Sequence, residues 1–101
     1  MNLTNEFESI RKWASDKGIY EKGDQKTQAL KLIEEVGELA KSILKNDKEE
    51  LKDAIGDCTV VLVNLATLSA LNYEDCVNSA YSIIAKRTGK MENGTFVKDG
   101  I

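Results

Sequence analysis

The chain of 101 residues contains no histidine and no proline. The absence of histidine excludes Ser-His-Asp and Cys-His triads, histidine-based zinc sites and the Glu-x-x-His ligand pairs of di-iron bundles. Any chemistry here must therefore use carboxylates, amides, hydroxyls and cations, and a di-metal oxidase centre is disfavoured. The absence of proline, with glycine or asparagine where helices should end, favours a helical fold.

Cysteine and basic clusters are also scarce. Cys58 and Cys76 lie in apolar segments without C-x-x-C spacing, which predicts small buried residues in a reducing compartment instead of a disulfide or zinc site. The 14 basic and 17 acidic side chains give a net charge of −3 without a long basic block, so a nucleic-acid polymer is not an expected partner. The N-terminus has no signal-peptide pattern, and the longest apolar run is shorter than a membrane span and contains Asn64. We expect a cytoplasmic protein that does not enter membranes.

The spacing of apolar residues predicts an all-α, four-helix-type bundle in a single domain over residues 1–101. The predicted helices run from near Asn5 to before Gly18, from the Asp24 cap to about Lys45, from about Lys48 to Leu71, and from about Glu74 to Arg87. Asn5 with Glu8 and Asp47 with Glu50 have capping-box spacing. The segment TVVLV within the third helix has strand propensity, but the helical period continues through it. Asn93-Gly94 predicts the turn of a short C-terminal hairpin.

The predicted buried faces are those where apolar side chains recur at helical spacing. On the first helix they are Phe7, Ile10, Trp13 and Ala14, and on the fourth they are Cys76, Val77, Ala80, Ile83 and Ile84. The run from Cys58 to Leu71 is more apolar than one small domain usually hides by itself. The bundle is therefore expected to be completed by oligomerisation, as a homodimer or a dimer of dimers.

Acidic side chains recur at helical spacing on the second and third predicted helices. Glu35 and Glu38 share one face, and Glu50, Asp53 and Asp57 share another that continues into an apolar surface. If these helices are neighbours, as the short connection suggests, the carboxylates face one another and repel strongly unless a cation lies among them. An all-oxygen ligand set selects Mg²⁺ or Mn²⁺, which can bridge phosphate oxygens and activate a water. The same residues are also compatible with an acid-faced helical interaction module.

At these residues the sequence resembles the MazG-like all-α nucleoside triphosphate pyrophosphohydrolase superfamily. The segments KLIEEVGELAK, from Lys31 to Lys41, and LKDAIGD, from Leu51 to Asp57, are similar to its signature of E-x-x-E followed by E-x-x-D. The tail KRTGKMENGTFVK, from Lys86 to Lys98, and the upstream Trp13 are similar to short, phage-type members. The resemblance covers nearly the whole chain.

The resemblance implies Mg²⁺-dependent hydrolysis of an NTP or dNTP between its α- and β-phosphates, releasing pyrophosphate. It assigns Glu35, Glu38 and Asp57 as catalytic metal ligands, with Glu38 a candidate for orienting the water. The signature acid before Asp57 is replaced by Ala54. Asp53 is expected to supply the fourth ligand, and Glu50 is the alternative.

Other polar residues are candidate substrate contacts, each with a structural alternative. Lys31, Lys86, Arg87 and Lys90 can contact phosphates, although the cations near the end of the fourth helix also suit its dipole. Trp13 can stack on a base, or it packs in the core. Gln28 and Asn64 contact the base or ribose, or they hydrogen-bond between helices or subunits. Two alternative functions stay open: a phosphoribosyl-ATP pyrophosphohydrolase-like enzyme, and a non-catalytic helical oligomer that binds nucleotide or protein.

Overall fold

The computed structural model describes residues 3–100 as five helices followed by a two-stranded ribbon. The elements are α1 (Thr4–Asp16), α2 (Ile19–Lys22), α3 (Gln25–Leu44), α4 (Lys48–Leu68), α5 (Tyr73–Ile84), β1 (Gly89–Glu92) and β2 (Thr95–Lys98). The prediction of a mainly helical fold with a short C-terminal hairpin is confirmed, with the short helix α2 in addition to the four predicted helices. The preferred helical interpretation of TVVLV is also confirmed, because that segment lies inside α4.

Side-chain caps define the starts of α3, α4 and α5. Asp24, Asp47 and Asn72 accept hydrogen bonds from the backbone N–H groups three residues later, at Thr27, Glu50 and Asp75. Each cap satisfies a donor that an isolated helix end leaves free. The predicted cap at Asn5 is wrong: α1 begins at Thr4, with Leu3 in the capping position and no side-chain cap hydrogen bond.

The predicted loop between the first two long helices contains the short helix α2. Gly18 precedes it with φ of 82°, a left-handed conformation that glycine adopts without steric cost. Tyr20 on α2 donates a 2.7 Å hydrogen bond to the Oδ1 of Asn64 on α4. Because Asn64 is only 3% exposed, this bond satisfies a polar group that would be costly to bury alone.

The core lies where α1 and α3 pack against α4. Its fully enclosed side chains are small: Ala14, Ala54, Val61, Val63, Ala66 and Ser42 are buried. Small side chains allow the helix backbones to approach closely, but they leave many larger apolar residues uncovered. Trp13, predicted on the buried face of α1, is 49% exposed, because the face that packs is centred on Ala14 and Ile10 and Trp13 lies at its edge.

The prediction of buried residues is wrong most clearly on α5. It is bent by 105° from α4, and none of its residues is buried. Cys76 is exposed as well, and Cys58 is half-buried; both thiols are free. Because α5 is bent away from α4, the five residues of this helix that were predicted to be buried lie at the surface of a single chain. They are Cys76, Val77, Ala80, Ile83 and Ile84.

Two contacts fix the start of α5 against α1. The guanidinium of Arg11 donates two 2.8 Å hydrogen bonds to the two carboxylate oxygens of Glu74. Phe7 and Tyr73 form an edge-to-face pair with ring centroids 5.1 Å apart. The remainder of α5 projects from the bundle, so its orientation depends on these contacts and on its short junction with α4.

The Arg11–Glu74 pair predicts a pH-dependent contribution to stability. The hydrogen bonds from Arg11 hold the pKa of the Glu74 carboxyl below its ordinary value, so the pair stabilises the fold above the unfolded-state pKa and is lost as the pH falls through the folded-state pKa. We expect Glu74→Gln to lower the free energy of unfolding by about 1 kcal/mol at pH 7. Its difference from wild type should shrink at pH 3, as measured by urea unfolding.

Asp75→Asn is the matched control, because Asp75 lies in the same first turn of α5 and shares its helix-dipole environment. Equal losses of stability in the two variants, or a Glu74→Gln effect that is unchanged at pH 3, would show that the ion pair with Arg11 is not the cause.

The chain exposes more surface than a compact monomer of its mass. Its accessible area is 7878 Å², whereas a monomeric protein of 11.2 kDa typically exposes about 5,700 Å². Its radius of gyration is 16.0 Å, against about 13 Å for a compact chain of this length. No single helix of residues 3–100 is long and apolar enough to cross a membrane; α4 and α5 pass that test only as a sharply bent pair.

Candidate active site

An acidic cleft lies between α3 and α4, the two helices that pack together most extensively. Its volume is 210 Å³, and its lining residues are Glu35, Glu38, Glu50, Asp53, Ala54 and Asp57. The short connection between the helices, with Asn46 at φ of 56°, turns the chain back so that the acidic stripes of α3 and α4 face each other. All four acids predicted as metal ligands therefore line one cleft.

The acids differ in their surroundings. The Glu35 side chain is 14% exposed, and its carboxylate lies 3.6 Å from the Nζ of Lys31. Glu50 pairs with Lys45 at 3.1 Å at the end of the cleft nearest the connection. Glu38, Asp53 and Asp57 are exposed. Two lysines thus lie beside five carboxylates, and the cleft has an excess of negative charge that favours a bound cation.

The donor set fits a hard divalent cation, since every polar group lining the cleft is a carboxylate and Mg²⁺ and Mn²⁺ prefer oxygen ligands. Within residues 3–100, however, no three acidic side chains already converge closely enough to hold one ion. Gathering three of them around a single ion therefore requires the side chains to change rotamer.

Ala54 lies in the cleft wall between the acids of α4 and is 4% exposed. The signature position that it occupies therefore does face the cleft, and an acid there would have joined the other carboxylates. The two acids that could replace the missing ligand, Glu50 and Asp53, both line the cleft. Glu50 is already paired with Lys45, and Asp53 lies one turn before Asp57.

The candidate substrate residues lie in several places. Lys31 is at the cleft, beside Glu35, and Gln28 lies half-buried one turn earlier on α3. Asn64 is buried and accepts the hydrogen bond from Tyr20, as the interhelical alternative predicted. Trp13 is half-exposed on α1.

The basic residues of the tail do not line the acidic cleft of their own chain. Lys86 and Arg87 follow the end of α5, and Lys90 is on β1, where it pairs with Glu92 at 3.7 Å. All three are exposed.

Two polar contacts of the candidate residues are not predicted by the sequence patterns. The ion pair of Lys45 with Glu50 depends on the tight connection at Asn46, which no periodic pattern reveals. Tyr20 lies in a predicted loop, yet it donates the hydrogen bond that satisfies Asn64. A buried asparagine on an apolar stripe was the one signal that a partner was needed.

Comparison with known proteins identifies the class of this domain. Residues 24–93 match the MazG nucleotide pyrophosphohydrolase domain, and this stretch includes α3, α4, α5 and the complete acidic cleft. The chain belongs to the MazG nucleotide pyrophosphohydrolase family.

The chain is also 42% identical over 65 residues to an uncharacterized 18.2 kDa protein in the rep-hol intergenic region of Haemophilus phage HP1. The alignment covers 64% of this chain and 40% of the phage protein. This chain therefore spans less than half the length of that relative. No solved structure matches the chain.

Proposed function

We propose that the protein is a divalent-cation-dependent nucleoside triphosphate pyrophosphohydrolase that converts an NTP or dNTP to its monophosphate and pyrophosphate. The observation that carries this proposal is the acidic cleft, where both signature segments of the family face each other across α3 and α4. A polyanionic triphosphate cannot approach such a cleft unless cations offset the charge, so substrate and metal are expected to bind together.

Glu35, Glu38, Asp53 and Asp57 are the residues proposed to hold Mg²⁺ or Mn²⁺. Asp53 is preferred over Glu50 as the substitute for the acid missing at Ala54, because Glu50 is paired with Lys45 while Asp53 is not shielded from the cleft. When bound, the ion would supply neutralisation of phosphate charge and a lowered pKa for a coordinated water.

The protein's own groups account for positioning and proton transfer. In the alternative role in which Glu38 does not bind the ion directly, its exposed carboxylate accepts a hydrogen bond from the attacking water, orients the water oxygen toward the α-phosphorus and accepts its proton. The water oxygen bonds to that phosphorus as the bond to the oxygen bridging to the β-phosphate breaks, so the monophosphate forms and pyrophosphate leaves with the bridging oxygen. Lys31, which already lies at the cleft edge, is placed to contact phosphate oxygens by a charge-assisted hydrogen bond.

The structure distinguishes among the residues that are candidates for contacting the nucleotide. Trp13 is half-exposed and remains a candidate for stacking on a base. Gln28 remains a candidate for a polar contact, and Asn64 remains one through its Nδ2, because its Oδ1 already accepts from Tyr20. Lys86 and Arg87 are proposed as phosphate contacts supplied to the cleft of a second copy, since they do not line the cleft of their own chain.

We also propose that the working form is a homodimer, with a dimer of dimers as the larger alternative. Contrary to the expectation from the Cys58–Leu71 run, the open apolar surface is on the outer face of α3 and on α5, because α1 and α3 already cover much of α4. The excess exposed area of about 2,200 Å² per chain is within the range that an obligate dimer interface buries. The α3 residues concerned are Leu30, Ile33, Val36, Ile43 and Leu44, each at least half exposed.

The test is a panel of ribonucleoside and deoxyribonucleoside triphosphates with phosphoribosyl-ATP, incubated with Mg²⁺ and assayed for pyrophosphate. We expect release of pyrophosphate and a monophosphate from at least one triphosphate. Preference for phosphoribosyl-ATP would support the related specialised enzyme instead.

A non-catalytic helical oligomer is the second candidate, and two observations favour it: Ala54 in place of the signature acid, and the lack of three preassembled ligands in residues 3–100. Absence of pyrophosphate release from every compound in the panel, together with binding of nucleotide, would support that candidate.

A further inference from the structure

One face of the C-terminal ribbon carries its two largest apolar side chains, and the other face is mainly polar. Its cross-strand pairs are Gly89 with Lys98, Lys90 with Val97, Met91 with Phe96, and Glu92 with Thr95. Residues directly opposite in an antiparallel pair point to the same side, and successive pairs alternate. Met91 and Phe96 therefore share one face with Gly89 and Lys98, whereas Glu92 and Thr95 share the other with Lys90 and Val97.

The sequence specifies this ribbon closely. Asn93 and Gly94 both have positive φ, at 51° and 82°, which is the turn geometry that matches the twist of a two-residue hairpin. A Cβ on Gly89 would collide with the Val97 carbonyl oxygen and would lie 2.7 Å from the Phe96 ring. Glycine at this position thus lets the aromatic ring lie across β1.

The ribbon lacks support from its own chain. Every residue of both strands is exposed, with Met91 at 65% and Phe96 at 49%, and no helix within residues 3–100 packs along it. An isolated two-stranded hairpin is at best marginally stable in water. Its apolar face therefore requires another surface.

A complementary surface lies at the elbow between α4 and α5. The cavity there has a volume of 260 Å³ and is lined mainly by apolar side chains, among them Leu62, Leu65, Leu71, Tyr73 and Cys76. We call it the elbow groove. Leu71 at its edge is 57% exposed, so the groove is uncovered in a single chain.

The charges around the two surfaces are also complementary. Asp75 is exposed in the first turn of α5 beside the elbow groove, whereas the neighbouring Glu74 is paired with Arg11. On the ribbon, Lys98 lies on the same face as Met91 and Phe96, whereas Lys90 is paired with Glu92. Lys98 and Asp75 therefore supply opposite charges at the edges of the two apolar surfaces, and opposite charges attract and help to fix the orientation of a contact.

The ribbon and the elbow groove of one chain lie at opposite ends of α5. The helix has 12 residues, so the two surfaces are separated by about 18 Å along its axis. The segment after α5 continues as backbone turns, with the N–H groups of Lys86 and Arg87 bonded to Ile83 and Ile84. The ribbon of one chain therefore lies about one helix length from its own groove and does not pack on it.

We propose that the ribbon is an intersubunit clasp, in which Met91 and Phe96 of one copy occupy the elbow groove of a second copy. The inference rests on the homodimer proposed above. A reciprocal exchange would cover two ribbons and two grooves, and it accounts for part of the excess exposed area of about 2,200 Å² per chain.

The native Cys76 in the groove allows a direct test by cross-linking. In the full chain carrying Cys58→Ala, a short bismaleimide cross-linker is applied to Met91→Cys and to the matched control Thr95→Cys, which lies on the polar face. We expect Met91→Cys to give a covalent dimer on denaturing gels as the main product. The Thr95→Cys control should give a several-fold weaker band, and the additional change Cys76→Ser should remove the dimer.

Three results would overturn the clasp: no cross-link, a cross-link within one chain, or a dimer band that persists without Cys76. Light scattering and pyrophosphate release are measured on the Met91→Cys sample before cross-linking and on its parent, which carries Cys58→Ala and retains Met91. If the Met91→Cys sample is dimeric and active but does not cross-link to Cys76, the clasp is wrong and the proposed function stands. A monomeric parent would overturn both the clasp and the dimer.

Discussion

Replacing Asp57 with asparagine is expected to reduce pyrophosphate release by about 10²–10³-fold, the loss typical of removing one preorganised electrostatic contact to a transition state. Asparagine keeps the size of the side chain and removes its charge. Asp57 lines the cleft and is the final acid of the family signature, so both metal binding and charge balance should suffer. The measurement is the rate of pyrophosphate release at saturating Mg²⁺ and substrate.

The matched control is Glu49→Gln on the same helix. Glu49 lies in the first turn of α4 and does not line the cleft, so its loss should leave the rate within about 2-fold, as expected of a change at a surface residue outside the cleft. Circular dichroism should show the same helix content in both variants. Comparable activity of Asp57→Asn and wild type would show that the acidic cleft is not the catalytic site.

Removing divalent cations is expected to abolish activity completely and to lower thermal stability. Five carboxylates line the cleft, and without a cation their mutual repulsion is offset only by Lys31 and Lys45. A ligand that binds only the native state at about 10 times its Kd adds about 1.4 kcal/mol, or about 6–11 °C in a domain of this size. The measurements are activity and Tm after treatment with a chelator and after restoring Mg²⁺ or Mn²⁺.

Sodium chloride at matched ionic strength is the necessary control, because simple screening also weakens repulsion between carboxylates. We expect it to restore neither activity nor the full increase in Tm. If NaCl reproduced the increase in Tm, the increase would be due to screening of the carboxylates and not to a bound divalent cation.

Local chemistry made much of this fold predictable. Asp24 and Asp47 accept hydrogen bonds from free backbone donors and cap helices as the sequence predicts. Asn72 caps α5 by the same chemistry, although no cap was predicted there. Asn93-Gly94 forms the hairpin turn because both residues accept positive φ. These features depend on a few consecutive residues, so no knowledge of the tertiary structure was needed.

Features that depend on long-range packing were not predictable. The apolar residues of α5 satisfy a helical period, but periodicity does not specify whether the covering surface belongs to the same chain. The bend of 105° between α4 and α5 leaves these residues uncovered. Trp13 is a second example. It lies on the apolar side of α1, but whether it is buried depends on where α1 crosses α4, which the spacing of apolar residues does not specify.

The candidate site was partly predictable, because two acidic stripes on helices joined by a short connection must face each other if the helices pack. Which acids are shielded was not predictable. The pairing of Glu50 with Lys45 and of Glu35 with Lys31 distinguishes them from Glu38, Asp53 and Asp57, and the first of these pairs depends on the geometry of the turn at Asn46. The closure of three carboxylates around one ion is a rearrangement that the ion itself would drive.

The most direct test of the central claim is a calorimetric titration of Mn²⁺ into wild-type protein and into a Glu38→Gln/Asp57→Asn variant, with Glu49→Gln as the control. Saturable binding to wild type and to Glu49→Gln, weakened at least about 10-fold in the double variant, is the predicted result. Identical isotherms for all three proteins, or no binding to wild type, would contradict a divalent-cation site between α3 and α4.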